Sequence, residues 1–285
     1  MEPGHTPVMP REILEYIQGL PRSVSLAIDG TAGGGGHTRL IAQAFPEATV
    51  LAFERDPSSA EALRSEFDGT RIRVFAESYT GIPAVIEKNG LPQADAAVFD
   101  LGLSSIQLDS PERGFSHRIQ GPLDMRFDTA QGQPLGEILG SLTEKEIADI
   151  IYRYGEEGRS RGIARAIKRS PSMNTTDDLA EAVRHAVKGN PVKALSRVFQ
   201  AFRIFVNGEL DHLEKLLGEM YLWTAPGCRV AILTFHSLED RMVKLHFRDS
   251  EHFRQFDPPW MVPGREEKAR NGRARSARLR LGVRQ

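Results

Sequence analysis

Three acids stand at the ends of apolar runs: Asp29 after Leu26-Ala27-Ile28, Glu54 after Val50-Leu51-Ala52-Phe53, and Asp100 after Val98-Phe99. Asp29 leads into Gly30-Thr31-Ala32-Gly33-Gly34-Gly35-Gly36-His37, a glycine-rich turn of the kind that lets a backbone bend sharply and lie against a ligand. A carboxylate at the lip of such a turn repels a pyrophosphate but suits a ligand carrying an ammonium group. A P-loop needs Lys followed by Ser or Thr at the helix start, where this chain has His37-Thr38. A dinucleotide fingerprint begins its glycines directly after the strand, where this chain has Asp29. The ligand class that remains is a nucleoside with a cationic amino-acid tail, of which S-adenosylmethionine is the common member. A turn that binds nothing is the competing reading.

The other acids extend this site. Glu54 follows the second apolar run, about twenty residues beyond the glycines, where an acid accepts hydrogen bonds from both ribose hydroxyls. Asp56 has a structural alternative, starting the next helix. Tyr79, after the third run, is placed to stack on an adenine ring or simply to pack. Asp100 belongs to Asp100-Leu101-Gly102-Leu103-Ser104-Ser105-x-Gln107-Leu108-Asp109. In an open α/β sheet the chemistry lies at the carboxyl ends of the strands, so Asp100 is expected where ligand and substrate meet. A carboxylate there can accept a hydrogen bond from an amine and turn its lone pair toward a reactive methyl; the alternative is an Asp that caps the next turn. Late in the chain, Thr234-Phe235-His236-Ser237-Leu238-Glu239-Asp240-Arg241 lacks the G-x-S-x-G elbow of a hydrolase. Ser237-x-x-Asp240 reads as a capping box, leaving His236 facing the mouth for substrate contact or proton handling. The 8 histidines are scattered without ligand spacing, and no metal site is expected.

These residues need a frame that brings strand ends together. Residues 24–28, 50–53, 72–75 and 96–99 read as buried strands, alternating with helical stretches at 38–44, from Ser58 with Glu61 in capping-box spacing, and at 82–88. That alternation implies a parallel sheet covered on both faces. A fifth strand is expected at 230–234, followed by a helix from Leu238, and a half-exposed strand at 277–283. From about Leu108 to about Arg203 the strand signal disappears. Thr143-x-x-Glu146 and Thr175-x-x-Asp178 open helices there, and a long helical pattern from Ala194 toward Trp223 breaks near Asn207-Gly208. The expected fold is therefore α/β, with residues 1–107 and 205–285 forming one core and 108–204 an inserted all-helical domain.

The chain has 285 residues and a formal net charge of −1. Its single cysteine, Cys228, excludes a disulfide framework and fits a reducing compartment. No apolar segment approaches a membrane span, and the N-terminus shows no signal pattern, so no membrane partner and a cytoplasmic location are expected. Basic residues cluster at 265–284 and, more loosely, at 153–203. Local basic surfaces on a neutral protein suit a phosphate backbone; solvated helix faces and a frayed tail are the plain alternative.

Several further strings complete the picture: His5-x-Pro7-Val8, Arg113-Gly114-Phe115-Ser116, Gly121-Pro122-Leu123-Asp124-Met125-Arg126 and Arg273-Ala274-Arg275-Ser276-Ala277. Together with the glycine loop, the Asp100 string and the His236 string, in this order over nearly the whole chain, they resemble the RsmH (MraW) family of small-subunit ribosomal RNA cytidine N4-methyltransferases. The resemblance implies a Rossmann-like S-adenosylmethionine-dependent methyltransferase core with an inserted helical domain. It implies a cofactor site of Gly35, Gly36, His37, Glu54, Tyr79, Asp100 and Gln107, to which the reading of the loop adds Asp29 and Gly33. Asp100 and His236 are the candidate catalytic residues. Many relatives carry Asp at the position of Glu54 and Phe at that of Tyr79, swaps that keep the chemistry. Many amino-methyltransferases show Asp/Asn-Pro-Pro-aromatic where this chain has Asp100-Leu101-Gly102-Leu103, so whether Asp100 serves cofactor, base or both stays open. The implied partner is 16S ribosomal RNA within the small subunit, held by the insertion and the Arg-rich C-terminal end. Oligomeric state is open, with a homodimer among the expectations. The rival functions are an S-adenosylmethionine-responsive RNA-binding assembly factor without turnover, and a nicotinamide dehydrogenase, which Asp29 and the loop spacing disfavour.

Overall fold

Short apolar runs alternating with amphipathic stretches build a sheet flanked by helices over residues 7–285, the part of the chain that the computed structural model describes. His5, in the first of the strings above, lies outside the described residues. In chain order the elements are α1 (Pro10–Gln18), β1 (Leu26–Asp29), α2 (Gly36–Ala44), β2 (Thr49–Phe53), α3 (Pro57–Glu66), β3 (Ile72–Phe75), α4 (Ile82–Lys88) and β4 (Ala94–Asp100). Next come α5 (Ser105–Asp109), α6 (Leu135–Ser141), α7 (Glu144–Gly155), α8 (Ser160–Arg169), α9 (Thr176–Ala186), α10 (Val192–Asn207) and α11 (Glu209–Trp223). The chain ends with β5 (Thr224–Thr234), α12 (Ser237–Asp249), β6 (Phe253–Met261), α13 (Arg265–Arg270) and β7 (Arg278–Arg284). Two compact units result, one of Met1–Leu103 with Asp211–Gln285 and one of Ser104–Leu210.

The first unit holds a seven-stranded sheet in the order β3-β2-β1-β4-β5-β7-β6. Strands β1 to β5 run parallel, and β7 inserts antiparallel between β5 and β6. Successive side chains on a strand point to opposite faces, and here both faces are apolar. Leu26, Ile28, Leu51, Phe53, Ala97, Phe99, Val230 and Ile232 pack on one face, against α4, α11 and α12. Ala27, Val50, Ala96, Val98, Ala231 and Leu233 pack on the other, where α1 and α2 supply Ile13, Ile17 and Ile41. This three-layer packing fixes the carboxyl ends of β1, β2, β4 and β5 along one edge. Asp29 is in register with Val98 and Asp100 with Leu233.

The second unit is helical apart from one isolated bridge, Pro122 to Thr175. The capping boxes expected at Thr143 with Glu146 and at Thr175 with Asp178 open α7 and α9. The break near Asn207-Gly208 is also present: Gly208, at φ 58°, ends α10. Asn207 is buried; its Oδ1 accepts from the Phe127 amide at 2.7 Å and its Nδ2 donates to the Met125 carbonyl at 2.7 Å. Those bonds pin the loop after Gly121 onto the end of α10.

The structure corrects several expectations. Strand β6 has no counterpart in the sequence reading, because Phe253-Arg254-Gln255-Phe256-Asp257-Pro258-Pro259-Trp260-Met261 lacks a continuous apolar pattern and carries two prolines. With β6 in place, β7 is flanked on both sides and mostly buried, not half-exposed. The Arg-rich end is thus no frayed tail: it forms α13, a single 3₁₀ turn and a sheet strand. Helix α3 is not capped by Ser58 with Glu61. Asp56 caps it, accepting from the Ser58 and Ser59 amides, and Pro57 takes the first turn. Helix α12 is likewise capped one residue earlier than expected, by His236 with Glu239.

Candidate active site

The glycine loop joins β1 to α2. Asp29 is fully buried beneath it; one carboxylate oxygen accepts from the Thr31 amide at 3.1 Å and the other from the Thr38 hydroxyl at 2.6 Å. Asp29 is therefore not at the lip, as the sequence reading placed it. It ties the start of the loop to the first turn of α2. Burial raises its carboxyl above the usual range, and the nearby His37 ring opposes that rise. Two glycines are sterically required. A Cβ on Gly30 would lie 2.1 Å from the Phe99 ring, and Gly35, at φ +77°, would put one 2.8 Å from Leu63 Cδ2. Gly33 also has a positive φ, 53°, and Gly36 is the first residue of α2.

Glu54 follows β2 and reaches back under the same loop. Its Oε2 accepts from the Gly33 amide and its Oε1 from the Asp56 amide, each at 2.8 Å. Burial pushes its carboxyl up to about 7, against the pull of those two amides. Each carboxylate oxygen offers a second lone pair, so the geometry leaves acceptor capacity toward a diol.

Asp100, last in β4, is the meeting point. Its amide donates to Thr31 Oγ1 at 2.5 Å, which locks the strand end to the loop. Its Oδ1 accepts from Arg273 Nη2 at 3.3 Å, and its Oδ2 lies 3.6 Å from His37 Nε2. Among the described residues, both ring nitrogens of His37 are buried without a hydrogen-bond partner, and so is Nη1 of Arg273. Arg273 comes from the 3₁₀ turn Gly272–Arg275, and its guanidinium lies 5.2 Å from the centroid of the Phe235 ring. A buried carboxylate flanked by an imidazole and a guanidinium with orphaned nitrogens is built to receive a polar ligand, because buried polar groups are rarely left unpaired.

Tyr79 opens a 3₁₀ turn after β3, with Phe99 at 5.8 Å and His212 at 6.3 Å, both edge to face. Gln107 lies in the second unit. Its side-chain oxygen accepts from the Ser104 amide at 3.2 Å in the capping box that opens α5. His236 is buried at the end of β5. Its Nδ1 accepts from the Glu239 amide at 3.4 Å, and its Nε2 lies 3.0 Å from Glu239 Oε1, outside hydrogen-bond geometry. Its ring thus faces Glu239 and caps α12, and His236 also lines a cavity at the end of β5. Asp240, freed from that cap, takes Arg278 at 2.8 Å and the buried Arg280 at 2.8 and 3.1 Å.

The first unit thus brings together Asp29, Gly33, Gly35, Gly36, His37, Glu54 and Asp100. The sequence reading missed Thr31, Thr38 and Arg273. The two threonines sit inside the loop motif, and their hydroxyls beside a buried acid were the available signal. Arg273 was visible in a motif string, but nothing local ties it to Asp100, 173 positions away. Among the described residues no group of His, Cys, Asp and Glu is arranged to hold a metal ion.

A doubly wound sheet in this order, with an acid-lined carboxyl edge and a glycine loop after β1, defines a Rossmann-like methyltransferase core. Residues 2–284 match the sequence profile of the MraW methylase family, and the chain belongs to that family. The ribosomal RNA small subunit methyltransferase H of Rippkaea orientalis is 40% identical over 288 residues, 98% of this chain and 92% of that protein. The protein of the same name from Sorangium cellulosum is 41% identical over 288 residues, 98% of this chain and 90% of its own. Among solved structures, an rRNA methylase from Streptococcus thermophilus aligns over 95% of this chain and 93% of its own, at 11% identity and a TM-score of 0.42.

Proposed function

We propose that the protein methylates the exocyclic N4 of one cytidine in the 16S ribosomal RNA of the small subunit, with S-adenosylmethionine as methyl donor. The observation that carries this reading is Asp100, held between His37 and Arg273 at the carboxyl edge of the sheet, directly against the glycine loop. Family membership and the names of the relatives supply the RNA.

The residues present fit the donor. Glu54 accepts the ribose hydroxyls with its remaining lone pairs, Tyr79 borders the adenine, and the orphaned His37 nitrogens meet the polar amino-acid end. Gly33, Gly35 and Gly36 keep the backbone open to it, and Asp29 shapes the loop from beneath. When bound, the sulfonium supplies a methyl already activated for in-line displacement. The protein's task is then positioning. Cytosine N4 is a weak nucleophile because its lone pair is delocalised into the ring. The Asp100 carboxylate accepts a hydrogen bond from that amine, turns the lone pair toward the methyl, and stabilises the charge that develops on nitrogen. Arg273 holds the Asp100 carboxylate, and the Thr31 hydroxyl holds the backbone amide of the same residue. His236 caps α12 and lines the cavity at the end of β5, where it is the second candidate for substrate contact or proton handling. The target base must leave its stack to reach Asp100. The helical unit and the Arg-rich end grip the RNA through its backbone.

Two assays test this. S-adenosylmethionine raises the melting temperature and a nicotinamide dinucleotide does not. Purified small subunits accept methyl from the wild type and not from Asp100→Ala. Wild-type protein that binds subunits as tightly but transfers no methyl would instead make it a non-catalytic assembly factor.

A further inference from the structure

Charge in the helical unit is laid out unevenly. From Ala182 to Gly208 the chain has no Asp or Glu, while Arg184, Lys188, Lys193, Arg197 and Arg203 all fall in that stretch. Arg197 and Arg203 are spent inside the unit. Arg203 donates to Glu209 at 2.7 and 2.9 Å, and Arg197 lies 3.6 Å from the buried Glu157. Arg184, Lys188 and Lys193 remain. All are exposed and, among the described residues, none of them forms an ion pair or a side-chain hydrogen bond. Chain connectivity keeps them together: Arg184 is in the last turn of α9, Lys188 in the short connection, and Lys193 in the first turn of α10. The negative end of one helix and the positive end of the next meet at this turn and offset each other, so the side chains set its charge.

The loop before Gly121 brings a fourth cation. His117 packs edge to face on Phe199 of α10, ring centroids 5.7 Å apart, and the Ile119 carbonyl accepts from the Thr176 hydroxyl of α9 at 2.8 Å. Arg118, exposed and likewise without an ion pair among the described residues, is thereby carried beside the same helices. Burial, and then the guanidiniums of Arg118 and Arg184, hold the His117 ring below its ordinary value, so the field of both arginines reaches one point. Like charges without counter-charge repel in the free protein, and a polyanion relieves that repulsion while shedding its own counterions. The cations come from separate elements around a turn and share no pocket, which suits a run of phosphates and not one enclosed anion.

We propose that the α9–α10 turn, with Arg118 beside it, is where the helical unit grips the RNA backbone, with Arg184, Lys188 and Lys193 each neutralising one phosphate. The grip is independent of sequence, because phosphate contacts position a strand without reading its bases. The inference rests on the reading of RNA as substrate. It adds which cations meet the RNA and which are held back within the fold.

The test uses the full chain and three variants: Arg184→Ala/Lys188→Ala/Lys193→Ala, the charge-keeping Arg184→Lys/Lys188→Arg/Lys193→Arg, and Arg197→Ala, whose cation already faces Glu157. A twelve-nucleotide single-stranded RNA is followed by fluorescence anisotropy across a salt series, and purified small subunits serve as methyl acceptor. The alanine triple variant lowers the slope of log affinity against log salt by about 2, at about 0.7 per phosphate on a single strand. Equal to the wild type when extrapolated to about 1 M salt, it binds about a hundredfold more weakly at about 0.1 M. The charge-keeping variant and Arg197→Ala keep the wild-type slope. In the alanine variant KM for subunits rises more than kcat falls, and S-adenosylmethionine affinity is unchanged. An unchanged slope in an alanine variant that still binds S-adenosylmethionine would overturn the inference. So would an equal loss per cation from Arg197→Ala, or weakened binding to subunits with RNA binding intact, which would assign the turn to an acidic protein surface. Failure of the wild type to methylate subunits strikes the functional reading instead, since the anisotropy arm does not depend on turnover.

Discussion

Raising the pH from 6 to 8 strengthens S-adenosylmethionine binding about tenfold if Glu54 carries the ribose. The magnitude follows from the site. Burial lifts the Glu54 carboxyl to about 7, and each of its oxygens already accepts one backbone amide. Ribose hydroxyls donate to the remaining lone pairs, and hydrogen bonds to an ionised acceptor are about twice as strong as neutral ones. With a carboxyl near 7, roughly one tenth is ionised at pH 6 and roughly nine tenths at pH 8. Binding that requires the ionised form therefore differs by about tenfold between the two. The assay is isothermal titration of S-adenosylmethionine into wild type and Glu54→Gln at fixed salt. The glutamine keeps the size and cannot titrate, so its profile keeps only the ligand's own ammonium titration, which both proteins share. Parallel profiles for wild type and Glu54→Gln would refute the assignment. Folding carries the matching signature. The folded carboxyl titrates higher than the unfolded one, so its contribution is fully present below about 4.5 and lost as pH rises through about 7. Across that window the wild type loses up to about 3 kcal/mol relative to Glu54→Gln, read from denaturant melts at each pH.

Substitutions at three positions probe the frame of the site. Gly35→Ala forces a side chain into a positive φ and against Leu63, so it lowers stability by about 2 kcal/mol and weakens S-adenosylmethionine binding, checked by thermal melts with and without ligand. Asp240→Ala strands the buried Arg280 and destabilises the fold by about 3 kcal/mol in a denaturant melt at pH 7. Because the two arginines hold the Asp240 carboxyl below its usual range, that difference shrinks as pH falls through the folded value. Arg273→Ala loosens Asp100 and slows methyl transfer about tenfold, while Arg273→Lys recovers part of the rate; equal rates in all three proteins would remove Arg273 from the site.

Much of this frame was legible because its signals are local. The runs ending in Asp29, Glu54 and Asp100 are short, apolar and buried on both faces, and the glycine loop after the first has few uses. What escaped was non-local or out of frame. Strand β6 is held by pairing with β7, not by its own pattern, so Pro258 and Pro259 hid it. Helix caps slipped by one or two residues where a Ser with an acid three positions on imitates a capping box. Asp56, whose structural alternative was to start α3, caps it, and His236 before Ser237 caps α12. The depth of Asp29 depends on Thr31 and Thr38 turning back onto it, and Arg273 reaches Asp100 only once the C-terminal turn packs beside Phe235.

The central claim is tested most directly by nucleoside mass spectrometry of 16S RNA, taken from unmodified small subunits incubated with the protein and S-adenosylmethionine bearing a labelled methyl. The account predicts one labelled methyl per subunit, on the N4 of a single cytidine, and none with Asp100→Ala. Label on another base or another atom of cytidine, or full incorporation by Asp100→Ala, would contradict it.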